Sequence, residues 1–305
     1  MATSSIGHVR HVLFHVLKNG PASVLDVGIG FGRWGFLCRE LLDVFHERVT
    51  KDKWKTRIEG IEIYEPYIQP HQRYIYDQIH IGDAKDVINT LGRYDIIIIG
   101  DMLEHLTKDD GWALFHSAME RANMGLILNL PIGKEWLRET GSENKYEDHL
   151  SWWALDEFAD LKPDTYLTKL ENGMEHASMF ISSSEYGYII LLGDGENAES
   201  QGQIQQAAER YLAAIKRVPT RPEAYITLAN MLIGHGQTAD AENILASMIN
   251  ACPNFTGGRL LLANLQRITG NADKALENAR AVLEQAGDNQ ELKDQAGDLI
   301  GRIQG

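Results

Sequence analysis

The sequence predicts an α/β unit, built on a mostly parallel sheet that ends in an antiparallel hairpin, followed by an all-α repeat unit. Three observations carry this expectation. Over the first two thirds of the 305 residues, short β-branched runs alternate with helical stretches, the pattern of parallel strands covered by helices. Two late runs, Ala177–Ser183 and Tyr186–Leu192, are joined by so short a Ser/Glu turn that they can pair only antiparallel. Beyond residue 202, small residues, Pro and Gly recur at a fixed spacing of 34.

The strand candidates before the hairpin are Ser23–Val27, Arg57–Ile63, Tyr94–Gly100 and Gly125–Leu130. RIEGIEI and YDIIIIG are rich in Ile, as strands buried on both faces should be. GDGENAESQG, residues 193–202, holds no apolar side chain beyond one Ala and reads as a linker. The expected division is therefore 1–192, a linker at 193–202, and 203–305. In the last segment Ala207, Ala241 and Ala275 share the 34-residue spacing, as do Pro219 and Pro253, Gly236 and Gly270, and the Leu-Ala-Asn triplets at 228–230 and 262–264. The segment resembles tetratricopeptide repeats in degenerate copies, because the usual Trp and the Tyr of the first helix are out of place. Each helix pair would bury its apolar face only by stacking on the next.

Composition bounds the function. Hydrophobic residues make up 44% and charged residues 24%, which excludes a mostly disordered chain. No apolar run approaches the roughly 18 residues that a membrane span needs. Met1 to Lys18 places His8, Arg10, His11 and His15 among its apolar residues, unlike a signal peptide. Only Cys38 and Cys252 occur, so neither a disulfide framework nor a cysteine metal cage is expected, and the expected compartment is the cytoplasm. The net charge is −14; residues 203–305 carry ten basic and eleven acidic side chains, so residues 1–202 hold −13 of it. Such a surface repels a nucleic-acid backbone, and a nucleic-acid partner is not expected.

The motif with chemical content is SVLDVGIGFGRWGFL, a strand that runs into glycines at 28, 30 and 32 and then a helix. Glycines there let the backbone turn sharply and approach a ligand closely. A dinucleotide fingerprint would require glycine at 33, where Arg33 stands. The remaining L-D-V-G-x-G-x-G resembles motif I of class I S-adenosylmethionine (SAM)-dependent methyltransferases. The resemblance implies a seven-stranded sheet with a terminal hairpin, a methyl-transfer activity, SAM as cofactor, and a cofactor loop of Asp26, Gly28, Gly30 and Gly32. It makes Glu62, at the end of IEGIEIY, the acid for the ribose hydroxyls, since a carboxylate can accept from both. Glu59 is the rival but lies inside the strand. Asp83 would sit beside the adenine amino group, Ala84 would supply a backbone N–H, and Asp101 lies at the C-terminal end of the fourth strand, where open sheets bind ligands.

A second constellation is Asp101-Met-Leu-Glu104-His105-Leu. If a helix starts here, Asp101, Glu104 and His105 share one face at the mouth of the site. The later segment Tyr146-Glu147-Asp148-His149-Leu150-Ser151-Trp152-Trp153 adds a second histidine. Asp101, Glu104, His105 and His149 form a plausible divalent set for Mg²⁺ or Mn²⁺. The pattern resembles the small-RNA 3′-end 2′-O-methyltransferases of the Hen type, with Asp101 in place of their first Glu. It also resembles metal-free bacterial methyltransferases of saccharide and natural-product pathways, in which His105 or His149, with Glu104, would position the acceptor or take its proton. The insert from about Gly133 to Asp164 carries Trp136, Trp152 and Trp153 and is expected to act as a lid over the acceptor.

The leading expectation is methyl transfer to oxygen on a saccharide, another small molecule or natural product, or a peptide. The alternatives are metal-dependent RNA ribose methylation, and an interaction protein whose first unit is a degraded SAM-binding domain. The repeats would bind a protein partner or a second copy of the chain.

Overall fold

The computed structural model describes residues 5–137, 143–170 and 172–304. It divides into two compact units, Met1–Tyr186 and Gly187–Gly305.

The first unit opens with helix α1 (Val9–Asn19), then strand β1 (Ser23–Val27), α2 (Arg33–Leu42), β2 (Arg57–Glu62), α3 (Pro70–Ile75) and β3 (Gln78–Ile81). There follow α4 (Ala84–Val87), β4 (Tyr94–Gly100), α5 (Lys108–Arg121), β5 (Ala122–Ile132), β6 (Asp164–Lys169) and β7 (Glu175–Ser182). These strands form one seven-stranded sheet in the order β3-β2-β1-β4-β5-β7-β6. The first five run parallel, and β7 lies antiparallel to both β5 and β6. Ile96, Ile97, Ile98 and Ile99 of β4 are all fully buried, so this central strand is covered on both faces, as its Ile run predicts. Ile96 and Ile98 pack with Val12 and Val16 of α1 and Cys38 of α2, which fixes the helical layer on that face.

The terminal hairpin is real, but its strands are not the expected pair. The first expected run corresponds to β7; its partner at the sheet edge is β6, a strand of polar and exposed residues that hydrophobic patterning cannot flag. Tyr186–Leu192 is helical instead, within α6 (Ser183–Ser200). The reason is visible in the burial: Tyr188, Gly195 and Ala198 are buried, with Leu191 and Leu192 half-buried between them, a helical spacing rather than an alternation. The segment 193–202, read as a linker, is helix to Ser200. Its small residues serve close packing, since a Cβ on Gly195 would come within 2.5 Å of the Tyr211 ring.

In the second unit, α7 (Ile204–Arg217), α8 (Glu223–Gly234), α9 (Thr238–Ala251), α10 (Gly257–Ile268), α11 (Ala272–Gln285) and α12 (Gln290–Gln304) continue the chain. Helices α7, α9 and α11 begin 34 residues apart, the spacing of the sequence. Ala207, Ala241 and Ala275 are fully buried, so the recurring alanines mark where neighbouring helices approach. Gly236 and Gly270, which end α8 and α10, have φ of 75° and 82°, a conformation that favours glycine. The unit is an all-helical repeat of tetratricopeptide type. Among the described residues, no helix is long and apolar enough to cross a membrane.

Candidate functional site

β1 ends in the loop Gly28-Ile29-Gly30-Phe31-Gly32, whose glycines have φ of 75°, 49° and 88°. The loop is stitched to β2, because the Gly28 and Ile29 amides both donate to the Ile61 carbonyl (2.9 and 3.1 Å). The Gly30 amide donates to Glu62 Oε2 at 2.9 Å, and the Tyr64 amide donates to Glu62 Oε1 at the same distance. Glu62 therefore holds the glycine loop against the tip of β2. Burial pushes its carboxyl above the usual range, while these amides pull it back.

Beside this loop opens a cavity of about 310 Å³ at the C-terminal ends of β1, β2 and β4, the side on which open parallel sheets bind ligands. Gly28, Gly30, Glu62, Asp83, Asp101 and His105 line it, as does Ala84. Asp83 caps α4, accepting from the Lys85 amide at 2.9 Å. Asp26 and Gly32 stand behind the wall. Asp26 is fully buried, and its Oδ2 accepts from the Tyr76 hydroxyl (2.6 Å) and the Gly35 amide (3.2 Å). It braces the loop from beneath.

Burial raises the Asp26 pKa to about 7 from an ordinary 3.8. The folded chain then keeps this proton where the unfolded chain has lost it. Asp26 makes stability fall as pH rises from about 4 to 7, with the full loss present above 7. Asp26→Asn removes the ionisation and keeps the acceptor. Relative to the parent, its stability should rise by on the order of 3 kcal/mol between pH 4 and pH 8. Urea denaturation of both proteins at the two pH values checks this; parallel stabilities would refute it.

The second constellation divides in two. The residues after β4 form only a short 3₁₀ turn, Leu103–His105, and Asp101 takes a left-handed φ of 51°. Asp101 is thereby turned off the face it was expected to share with Glu104 and His105. Its Oδ2 accepts from the Ser5 amide (3.2 Å), and its Oδ1 lies 3.3 Å from His176 Nδ1. Asp101 groups with His8 and His176; Glu104, His105 and His149 form a separate group whose ligand atoms lie within 4.8 Å of one another.

In that second group, His105 Nδ1 is 3.1 Å from the Asp148 carbonyl and His149 Nδ1 is 2.8 Å from the Trp136 carbonyl. Each Nδ1 must carry a proton to make its bond, so in the neutral ring the lone pair sits on Nε2. Burial lowers the His105 pKa, which favours the neutral ring. Glu104 is buried, and desolvation together with the Asp101 charge pushes its carboxyl well above the usual range.

The expected tryptophan lid takes another form. Trp153 is fully buried against Trp112 and Phe158, so it belongs to the core, and none of Trp136, Trp152 and Trp153 lines the cavity. From the same insert, Asn144, Tyr146, Glu147 and Leu150 do line it, and residues 138–142 lie outside the described residues. Tyr67, whose hydroxyl donates to Glu147 Oε1 at 2.8 Å, is a further wall residue that no sequence pattern marks.

Residues 198–265 match the family model of the tetratricopeptide repeat. No curated protein matches the chain. Among solved structures, the first repeat domain of Spaghetti (RPAP3) bound to an HSP90 peptide is 16% identical, over 39% of this chain and 95% of that one, with a TM-score of 0.33. The TPR2B domain of yeast Sti1 in a complex with pHsp70 is 18% identical, over 39% and 97%, with a TM-score of 0.35. The repeat domain of P58(IPK) is 22% identical, over 38% and 32%, with a TM-score of 0.33.

Proposed function

We propose that the first unit is a SAM-dependent methyltransferase acting on an oxygen acceptor, and that the repeat unit docks a protein or peptide. The observation that carries the enzymatic reading is the tie between Glu62 and the glycine loop on the cavity wall. A carboxylate has about four acceptor sites, and the amides of Gly30, Tyr64 and Ile63 take up to three of them, so at least one is left for the hydroxyls of a ribose. Position 28 of the loop admits only glycine for a steric reason. A Cβ on Gly28 would stand 3.0 Å from Met102 Cγ, and its φ is strained for any other residue. The seven-stranded sheet, with its antiparallel end, supports the same reading.

SAM, when bound, supplies a methyl group already activated on a sulfonium. The chain's own work is to bind and orient. Glu62 would hold the ribose, Asp83 the adenine amino group, and Gly28 and Gly30 would keep the wall free of side chains. His105, neutral and with Nε2 unprotonated, would take the acceptor's proton, a contribution of about 10²–10⁴ in rate. Glu104, His105 and His149 would also suit a divalent ion, because each imidazole gives its second nitrogen to a backbone carbonyl, as metal-bound histidines do. The net −13 of residues 1–202 favours a saccharide, small-molecule or peptide acceptor over RNA.

The test is a calorimetric titration of S-adenosylhomocysteine into chelator-stripped full-length protein. Micromolar binding is expected, and Gly30→Val should abolish it, because φ of 49° is disfavoured for a β-branched residue. Absence of binding, or unchanged affinity in Gly30→Val, would overturn the reading.

A further inference from the structure

We propose that His8, Asp101 and His176 form a binding site for one divalent first-row transition-metal ion, distinct from the Glu104, His105 and His149 group. The proposal rests on the side chains alone and not on the methyltransferase reading.

The site is assembled by a helix and a strand in register. His8, His11 and His15 succeed one another along one face at the start of and within α1. They meet alternate residues of β7: the His8 ring lies 5.0 Å from that of His176, His11 Nδ1 is 2.9 Å from Ser178 Oγ, and His15 stacks on Phe180 at 4.4 Å. Three successive pairings hold His8 over His176. Asp101, turned by its left-handed backbone, closes the group, and the three ligand atoms lie within 4.8 Å of one another.

His8 is the observation that points to a ligand. It is fully buried, one ring nitrogen meets the His176 backbone, and the other ring nitrogen has no hydrogen-bond partner among the described residues. A buried imidazole that gives one nitrogen to the backbone keeps a lone pair on the other, and coordination would employ it. The spacing already approaches what an ion needs. His176 Nδ1 and Asp101 Oδ1 are 3.3 Å apart. Two ligands on a tetrahedral ion with bonds of about 2.05 Å are separated by about 3.3 Å. The donor set of two imidazoles and one carboxylate selects Zn²⁺, Co²⁺, Mn²⁺ or Fe²⁺ over Mg²⁺ and Ca²⁺, which prefer oxygen. Three protein ligands leave a coordination position open, the mark of a reactive rather than a structural site. Asp101 is also part of the cavity wall, so the ion would lie where a cavity ligand can meet it.

The experiment titrates Zn²⁺ by calorimetry, and Co²⁺ by its visible absorption, into chelator-stripped full-length protein. The expected result includes one equivalent that weakens by more than about 100-fold in His8→Ala and in His176→Gln. That equivalent should persist in His149→Ala, which removes a histidine from the Glu104, His105 and His149 group. Far-UV circular dichroism confirms folding, and His8→Gln replaces His8→Ala if the latter unfolds. Binding that survives the His8 and His176 substitutions, or that disappears in His149→Ala, would overturn the proposal. So would the absence of any bound ion.

Discussion

Glu62→Gln should weaken S-adenosylhomocysteine binding by about 10²-fold or more while leaving the protein folded. Both oxygens of Glu62 accept backbone N–H groups, from Gly30 and Tyr64. An amide can offer only one acceptor oxygen, so its NH₂ must face one of these donors. The loop then loses its anchor on one side, and the ribose loses a charged acceptor. Hydrogen bonds to a charged group contribute about 1.5–3 kcal/mol each, or roughly 10- to 150-fold in affinity. Calorimetry with S-adenosylhomocysteine measures the loss. An affinity within about threefold of the parent would remove Glu62 from the site and, with it, the observation on which the proposed function stands.

The residues that could be read in the sequence are those whose role is local. Glycines 28, 30 and 32 announce a turn because no other residue takes those φ values cheaply, and the Ile run of β4 announces burial on both faces. The resemblance to class I methyltransferases marks Glu62 and Asp83, and both line the cavity. The repeat spacing was legible because it is a periodicity, which needs no partner to be seen. What escaped depends on long-range contacts. The polar edge strand β6 pairs only through its backbone with β7. In α6, Gly195 and Ala198 look like a linker because nothing in their own neighbourhood tells that Tyr211 packs there. Asp101 reads as a neighbour of Glu104 and His105, yet one left-handed residue sends it to His8 and His176, which lie near opposite ends of the unit's sequence.

Tyr76 extends the same point to stability, and Gly35→Ala should lower the stability of the first unit by about 3–5 kcal/mol. The Tyr76 ring, 1% exposed, packs against two glycines, Gly35 of α2 and Gly60 of β2. A Cβ on Gly35 would overlap the ring at its hydroxyl end, and one on Gly60 would overlap the Ile29 side chain and press on the same edge of the ring. The other edge of the ring faces Gly32, so the ring cannot retreat without moving the glycine loop. Overpacking of this kind costs about 1–3 kcal/mol. Displacing the ring also breaks the hydroxyl's hydrogen bond to Asp26, which leaves a buried carboxyl oxygen unsatisfied for about 1–3 kcal/mol more. For a unit of this size the sum corresponds to a melting temperature lower by about 10 °C. Gly92→Ala is the control, since nothing lies within 4 Å of a Cβ there and its melting should match the parent. If Gly35→Ala also melts like the parent, the ring has room to move and Asp26 is not held as described. If it melts early, helix α2 and the glycine loop before it owe their positions to one tyrosine packed against residues without side chains.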